Sequence, residues 1–282
     1  MSRMLVRRAM LVGGAVAIIG IMSATLSPLA GAGIGSRRID PAQVVPIEQL
    51  APEWRDSVIE VIRDHTFHRE GEPDTFACPP DLYLSLLNEP AMTVALWKDL
   101  SDTPVRLRKV TANRYEGDDG SGSTATWEFV LRSPRLHVLL AHFNYISPHG
   151  NARVEARIVV VVNSAYYRDR TKAPFVQHNV DIYVKVDSKG WKTIARTVRP
   201  VVERILEEQV KEAGFFISLM SRLVLSFPNW ATDVVTRNPG IDAATRQRFA
   251  TIVAQHRRPG ASSGRPVVRK DPGNITAETR RR

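Results

Sequence analysis

Apolar residues recur along this chain first at three- and four-residue steps, then at every second position, then at helical steps again. Between Ile47 and Ile62, Leu50, Trp54, Val58, Val61 and Ile62 fall on one side of an amphipathic helix of about four turns. Thr66–Cys78 is polar and strand-like, interrupted by Gly71 and Pro73. Cys78-Pro79-Pro80-Asp81 opens a short helix carrying Leu82, Leu86 and Leu87, since a first turn has no use for the N–H that proline lacks. Asn88-Glu89-Pro90 ends it, and a second short helix follows with Val94, Leu96, Trp97 and Leu100.

From Val105 to Asp187 the period changes to two. Val105–Val110 alternates, Asp118–Ser123 is a turn, and Trp127, Phe129 and Leu131 alternate with Thr126, Glu128, Val130 and Arg132. Leu136, Val138 and Leu140 begin another strand, which Pro148-His149-Gly150 turns around. The run Ile158–Val162 is β-branched throughout and suits a central strand. Val180, Ile182, Val184 and Val186 alternate with Asp181, Tyr183, Lys185 and Asp187, the pattern of a half-buried strand. Short connections imply antiparallel pairing in a meander of about five or six strands.

Residues 199–227 then read as one long helix with Val202, Ile205, Leu206, Ala213, Phe216, Ile217, Met220, Leu223, Val224 and Phe227. Its first half has a charged face on which Glu207 and Lys211 can pair at the four-residue spacing. Past Gly214 that face nearly disappears, so this end is buried on several sides or meets something apolar. Phe227-Pro228-Asn229-Trp230 ends it, a C-terminal helical segment drawn at 231–256 follows with its last helix at Asp242–His256, and 257–282 reads as a disordered basic tail. The class is α+β: an antiparallel sheet wrapped around a long C-terminal helix, with an extra N-terminal helix.

Cys78-Pro79-Pro80-Asp81, Asn88-Glu89-Pro90 and Trp97, in that order after a strand, resemble the signposts of the START and polyketide-cyclase-like (SRPBCC, helix-grip) superfamily. The resemblance covers about residues 65–228 within a domain drawn at 47–230. It implies a cavity between sheet and closing helix that holds a sterol, phospholipid, quinone or polyketide, and some members of the superfamily are enzymes. The helix at 47–62 and everything after Asn229 lie outside it.

Charge changes this picture little. Of the formal +10, Arg3, Arg7 and Arg8 supply three and residues 256–282 a net six, which leaves about +1 for 33–255. The basicity is in the ends, and no basic face of the kind that nucleic-acid binding needs is visible on the body. Cys78 is the lone cysteine, which rules out an intramolecular disulfide and a cysteine-based metal cluster.

The N-terminal segment 1–32 joins three arginines to an uncharged apolar run. Two descriptions fit: a signal peptide cleaved near Ala30-Gly31-Ala32, or an uncleaved membrane anchor, with Pro28 and a weak, Gly-rich hydrophobicity favouring cleavage and the length of the run favouring the anchor. Residues 33–46 read as a linker. Either description places the body on the extracytoplasmic side of the membrane.

Candidate chemistry is sparse. His65 and His68 lack a third ligand, and His137 and His142 point to opposite strand faces by parity, so no metal site is expected. His142, Tyr145, Asp181 and Tyr183 are the candidates for acid–base work across strands, with polar satisfaction of a solvent-facing sheet as the plainer role. The apolar set Trp127, Phe129, Leu131, Phe216, Met220 and Leu223 is the candidate cavity lining, with an ordinary packed core as its alternative. The expectation is therefore binding of a hydrophobic small molecule or lipid without conversion and without a cofactor. A polyketide-cyclase-like enzyme and a ligand-free envelope scaffold are the alternatives.

Overall fold

Strand alternation, with one break in it, decides which side chains face which layer. The computed structural model describes residues 39–101, 103–120, 122–146, 153–187, 216–257, 262, 264–271 and 274–279. Residues 1–32, read as a signal peptide or anchor, Pro148–Gly150, read as a turn, and 199–215, read as the first part of the closing helix, lie outside the described residues. Among the described residues no helix is long and apolar enough to cross a membrane.

After a short helix α1 (Pro41–Val44) and a 3-10 turn at Ile47–Gln49, helix α2 spans Pro52–Arg63. The expected helix at 47–62 is thus split, because Pro52 starts α2 and Leu50 sits in extended backbone before it. Strands β1 (Phe67–Glu70) and β2 (Asp74–Ala77) both pair with the last long strand, so they form one interrupted sheet edge. Helices α3 (Pro80–Asn88) and α4 (Pro90–Leu100) follow, each with proline in its first turn.

The meander comprises β3 (Arg106–Lys109), β4 (Arg114–Asp118), β5 (Ser123–Arg132), β6 (Leu136–Ile146), β7 (Arg153–Arg168) and β8 (Pro174–Val186). The eight-stranded sheet is antiparallel throughout, ordered β1-β8-β7-β6-β5-β4-β3 with β2 also on β8. It exceeds the expected five or six strands because the short edge segments on either side of Pro73 each pair. The order of a strand, two helices, a meander and a closing helix is the one that the START-like resemblance implies. The fold is α+β and compatible with a helix-grip.

The described part of the closing helix, α5, covers residues 216–226. The segment drawn as one helix at 231–256 is two: α6 (Pro228–Arg237) follows at once, and α7 (Ala243–Gln255) is capped by Asp242, whose carboxylate accepts from Thr245 N at 2.8 Å. Pro228 does not stop the chain; it breaks α5 and begins the next helix, whose Trp230, Val234 and Val235 are buried. Within the segment read as a disordered tail, β9 (Pro266–Asp271) and β10 (Asn274–Thr279) pair as an antiparallel hairpin.

Three apolar clusters follow from this layering. On the outer face, Val58, Val61 and Ile62 of α2 pack on Val138, Leu140, Val159, Val161 and Tyr183. On the inner face, Phe67, Tyr115, Trp127, Phe129, Ile158, Val160 and Ile182 form a second cluster, joined by Val94 of α4. Helices α3 to α7 make the third around Phe216, Met220, Leu223 and Phe249, with Trp97 and Phe216 at 5.6 Å edge to face. Helix α2 is held by ions as well. Glu60 meets Arg157 at 2.6 Å and pairs with Lys185, and Arg157 also meets Asp187 at 2.9 Å.

Two outcomes test this layout. Gly122 lies at φ +106, and a Cβ there would collide with the Ile146 carbonyl, so Gly122→Ala should lower the unfolding free energy by about 1–3 kcal/mol in urea titrations. Hydrogen bonds from Arg157 and then Lys185 hold the Glu60 carboxyl at about 2, below its ordinary 4.5. A carboxyl with a depressed pKa contributes stability above its unfolded value and loses it as pH falls through the folded one. Glu60→Gln should therefore be less stable than the parent at neutral pH, the gap closing between pH 4.5 and about 2 in acid titrations of unfolding.

Candidate functional site

On β5 the odd positions Ala125, Trp127 and Phe129 face inward, as the period of two requires. The register then slips: Phe129 pairs with Leu139, but Leu131 pairs with Val138 and Arg132 with His137. The extra residue, Val130, is a β-bulge, and it reverses the faces beyond it. Val130 and Leu131 join the outer cluster under α2, while Arg132 arrives opposite His137 on the inner side.

An aromatic row results. Tyr115 stacks on Trp127 at 6.4 Å and meets Phe129 edge-on at 6.0 Å, and Phe129 meets the His137 ring at 6.2 Å. The Arg132 guanidinium carbon sits 3.8 Å from the Phe129 ring centre, a cation–π contact. Helix α3 ends against this row. The Asn88 side-chain oxygen lies 3.0 Å from His137 Nε2, and the Asn88 carbonyl accepts from the Tyr115 hydroxyl at 3.4 Å.

This apolar wall holds polar atoms without partners. Trp127 is 2% exposed and His137 1%, yet Trp127 Nε1 and His137 Nδ1 make no hydrogen bond, and neither does the buried Nε of Arg132. Leaving such a group without a partner costs about 1–3 kcal/mol, so three along one wall call for an explanation. Burial, and after it the charge of Arg132, pushes His137 down to about 4, so its ring is neutral at pH 7. Burial pushes the Tyr115 hydroxyl up.

The six residues expected to line one cavity are distributed among three clusters. Trp127 and Phe129 are on the inner wall, whereas the bulge turns Leu131 to the outer face. Phe216, Met220 and Leu223 pack with Phe76, Leu82, Leu86 and Trp97 among the helices. Residues 199–215, read as the first half of the closing helix, lie outside the described residues.

The expected acid–base set does not converge. His142 shares an outer row with Arg157 and Lys185, and Asp181 lies four residues further back along β8, opposite Glu70. Tyr145 packs on the inner cluster, on the other side of the sheet. Tyr183 stacks on His68 at 4.3 Å, with His65 edge-on to both, so the two histidines belong to an aromatic contact at the α2–β1 junction. Among the described residues no group of three or more ligating side chains has a metal-holding arrangement.

Two further polar features were not foreseen. A cavity of about 1020 Å³ lies along strands β3 to β7, lined by Arg106, Arg108, Glu116, Asp118, His142 and Arg157 among others. Its charges are largely matched across strands, Arg106 with Asp118 at 3.0 Å and Arg108 with Glu116 at 2.5 Å. Under α3, the buried Tyr83 hydroxyl lies 2.7 Å from Ser164 Oγ and 3.2 Å from His178 Nδ1. Register explains this meeting, since Ser164 and His178 are direct partners on β7 and β8.

No family model matches the chain, and no curated protein does. Solved structures are similar to parts of the chain at low identity. A conserved protein of Geobacillus kaustophilus is 12% identical with a TM-score of 0.36, over 54% of this chain and 96% of that one. A hypothetical protein of Helicobacter pylori is 11% identical with a TM-score of 0.37, over 68% and 100%. The di-domain ARO/CYC StfQ of the steffimycin biosynthetic pathway is 14% identical with a TM-score of 0.36, over 59% and 56%. The architecture stated above rests on this chain's own strand order.

The outer face supplies a test of its electrostatics. Burial, and then the facing Glu70, raises Asp181 from 3.8 to about 6. A carboxyl with a raised pKa contributes stability below its unfolded value and loses it as pH rises through the folded one. Asp181→Asn should therefore be more stable than the parent above pH 6, by on the order of 1 kcal/mol once solvent screening is allowed for. The difference should vanish below pH 3.8 in thermal melts.

Proposed function

We propose that the inner face of the sheet binds a hydrophobic small molecule or lipid and releases it unchanged. The observation that carries this reading is the aromatic wall of Tyr115, Trp127 and Phe129, in which buried polar atoms of Trp127, Arg132 and His137 stand without partners. A packed core selects against such atoms, because each is a desolvated group with nothing in return. A binding surface needs them: apolar area supplies about 25 cal/mol per Å² removed from water, and a few polar groups fix the orientation.

The cyclase-like alternative has less support, since His142, Tyr145 and Asp181 are spread over two faces and two rows. The near-neutral charge of the body suits an uncharged cargo. The same reading has the chain exported across, or anchored in, the cytoplasmic membrane by its N-terminal segment, with the sheet on the far side.

Native mass spectrometry of the full chain extracted from membranes tests the reading. The expected result is a noncovalent adduct in the mass range of a lipid or small apolar metabolite, lost on organic extraction. A clean mass of the bare chain, persisting after incubation with mixed lipid extract, would refute it.

A further inference from the structure

The binding reading leaves the cargo's polar groups open, and the unpartnered atoms constrain them. Trp127 Nε1 is a donor and nothing else. Arg132 Nε is also a donor. His137 is the informative member. Its Nε2 faces the Asn88 side-chain oxygen at 3.0 Å, an acceptor, so the proton resides on Nε2 and Nδ1 presents a lone pair. The neutral ring at pH 7 agrees with that tautomer. Arg132 and His137 are direct cross-strand partners on the inner face, so a donor-bearing and an acceptor-bearing side chain are neighbours there, with Arg132 Nη2 already donating to the Ala112 carbonyl at 3.2 Å and its Nε left over.

We propose that the inner-face site takes an uncharged, chain-like lipid bearing a hydroxyl that sits between Arg132 and His137 and a carbonyl that Trp127 holds. The proposal rests on the binding reading above. A hydroxyl oxygen accepts from Arg132 Nε–H and donates its own proton to His137 Nδ1, so one atom satisfies both groups. A carboxylate has no proton for Nδ1, and an ammonium has no lone pair for Arg132. Both leave one of the two unpaired.

The spacing sets the cargo's length. Trp127 pairs with Ala141, four residues along β6 from His137, which is about 14 Å of strand. Phe129, Leu139 and Val160 occupy the interval and offer no polar atom beyond the backbone's own ladder. The cargo is therefore apolar between its two oxygens. The bulge is what makes the arrangement possible, because without the extra residue Arg132 would face outward.

The experiment uses the full chain and two probes of equal length in calorimetric titration: the methyl ester of a terminal hydroxy fatty acid, and the same ester without the hydroxyl. The parent should bind the hydroxy ester about tenfold more tightly, the factor expected for satisfying buried unpaired groups. His137→Phe should abolish that preference. Arg132→Met should do the same, which keeps the test intact if the histidine variant melts early by circular dichroism. Trp127→Phe should weaken both esters by a similar factor and keep the hydroxyl preference. Equal affinity of the parent for the two esters would overturn the proposal, ordered water being then the partner of these atoms, and would leave lipid binding standing. A parent that binds neither ester nor any component of a mixed lipid extract would overturn both.

Discussion

In a β-strand the side chains alternate, and one inserted residue exchanges inside for outside from that point on. The organisation of this protein turns on that constraint at Val130. Before it, Trp127 and Phe129 face inward; after it, Leu131 lies under α2 and Arg132 stands opposite His137. A strand without the bulge would place an arginine against the apolar underside of α2 and a leucine beside the histidine. The bulge is thus one device serving two layers, closing the outer core and furnishing the inner wall with a cation.

The outer layer explains why the sheet's centre has no polar face. Val159 and Val161 pack toward α2 while Ile158, Val160 and Val162 pack inward, so both parities of β7 are apolar. A strand buried on both sides reads as a continuous hydrophobic run, the feature visible at Ile158–Val162. Toward the other end of the sheet α2 no longer covers the strands, and the outer positions revert to matched charges such as Arg108 and Glu116. The ion network of Glu60 with Arg157 and Lys185 stands at that boundary, fastening α2 where its apolar contact ends.

Much of this was legible in the chain. The period of two over β5 to β8, the proline-led starts of α3 and α4 and the Asp242 cap each state a local preference that the tertiary structure does not oppose. What escaped did so for physical reasons. Parity counting presumes an unbroken register, so it kept Leu131 with Phe129 and hid the pairing of Arg132 with His137. Proline after Phe227 reads equally as a stop and as a first-turn residue, and α6 follows the second sense. Tail composition outweighed the short alternating stretches that pair as β9 and β10. The meeting of Tyr83 with Ser164 and His178 spans more than eighty positions, and no local pattern announces it.

Asp99, at the end of α4, gathers distant parts of the chain on one carboxylate. Trp230 of α6 donates to it at 2.8 Å, Arg265 at the root of the terminal hairpin reaches it at 3.0 Å, and Ser262 N bonds the Ser226 carbonyl at 2.9 Å. The C-terminal region is therefore moored to the helical layer that backs the sheet. A purification tag or fusion partner placed after the last residue would pull on that mooring, whereas one joined ahead of α2 would load the opposite side of the sheet.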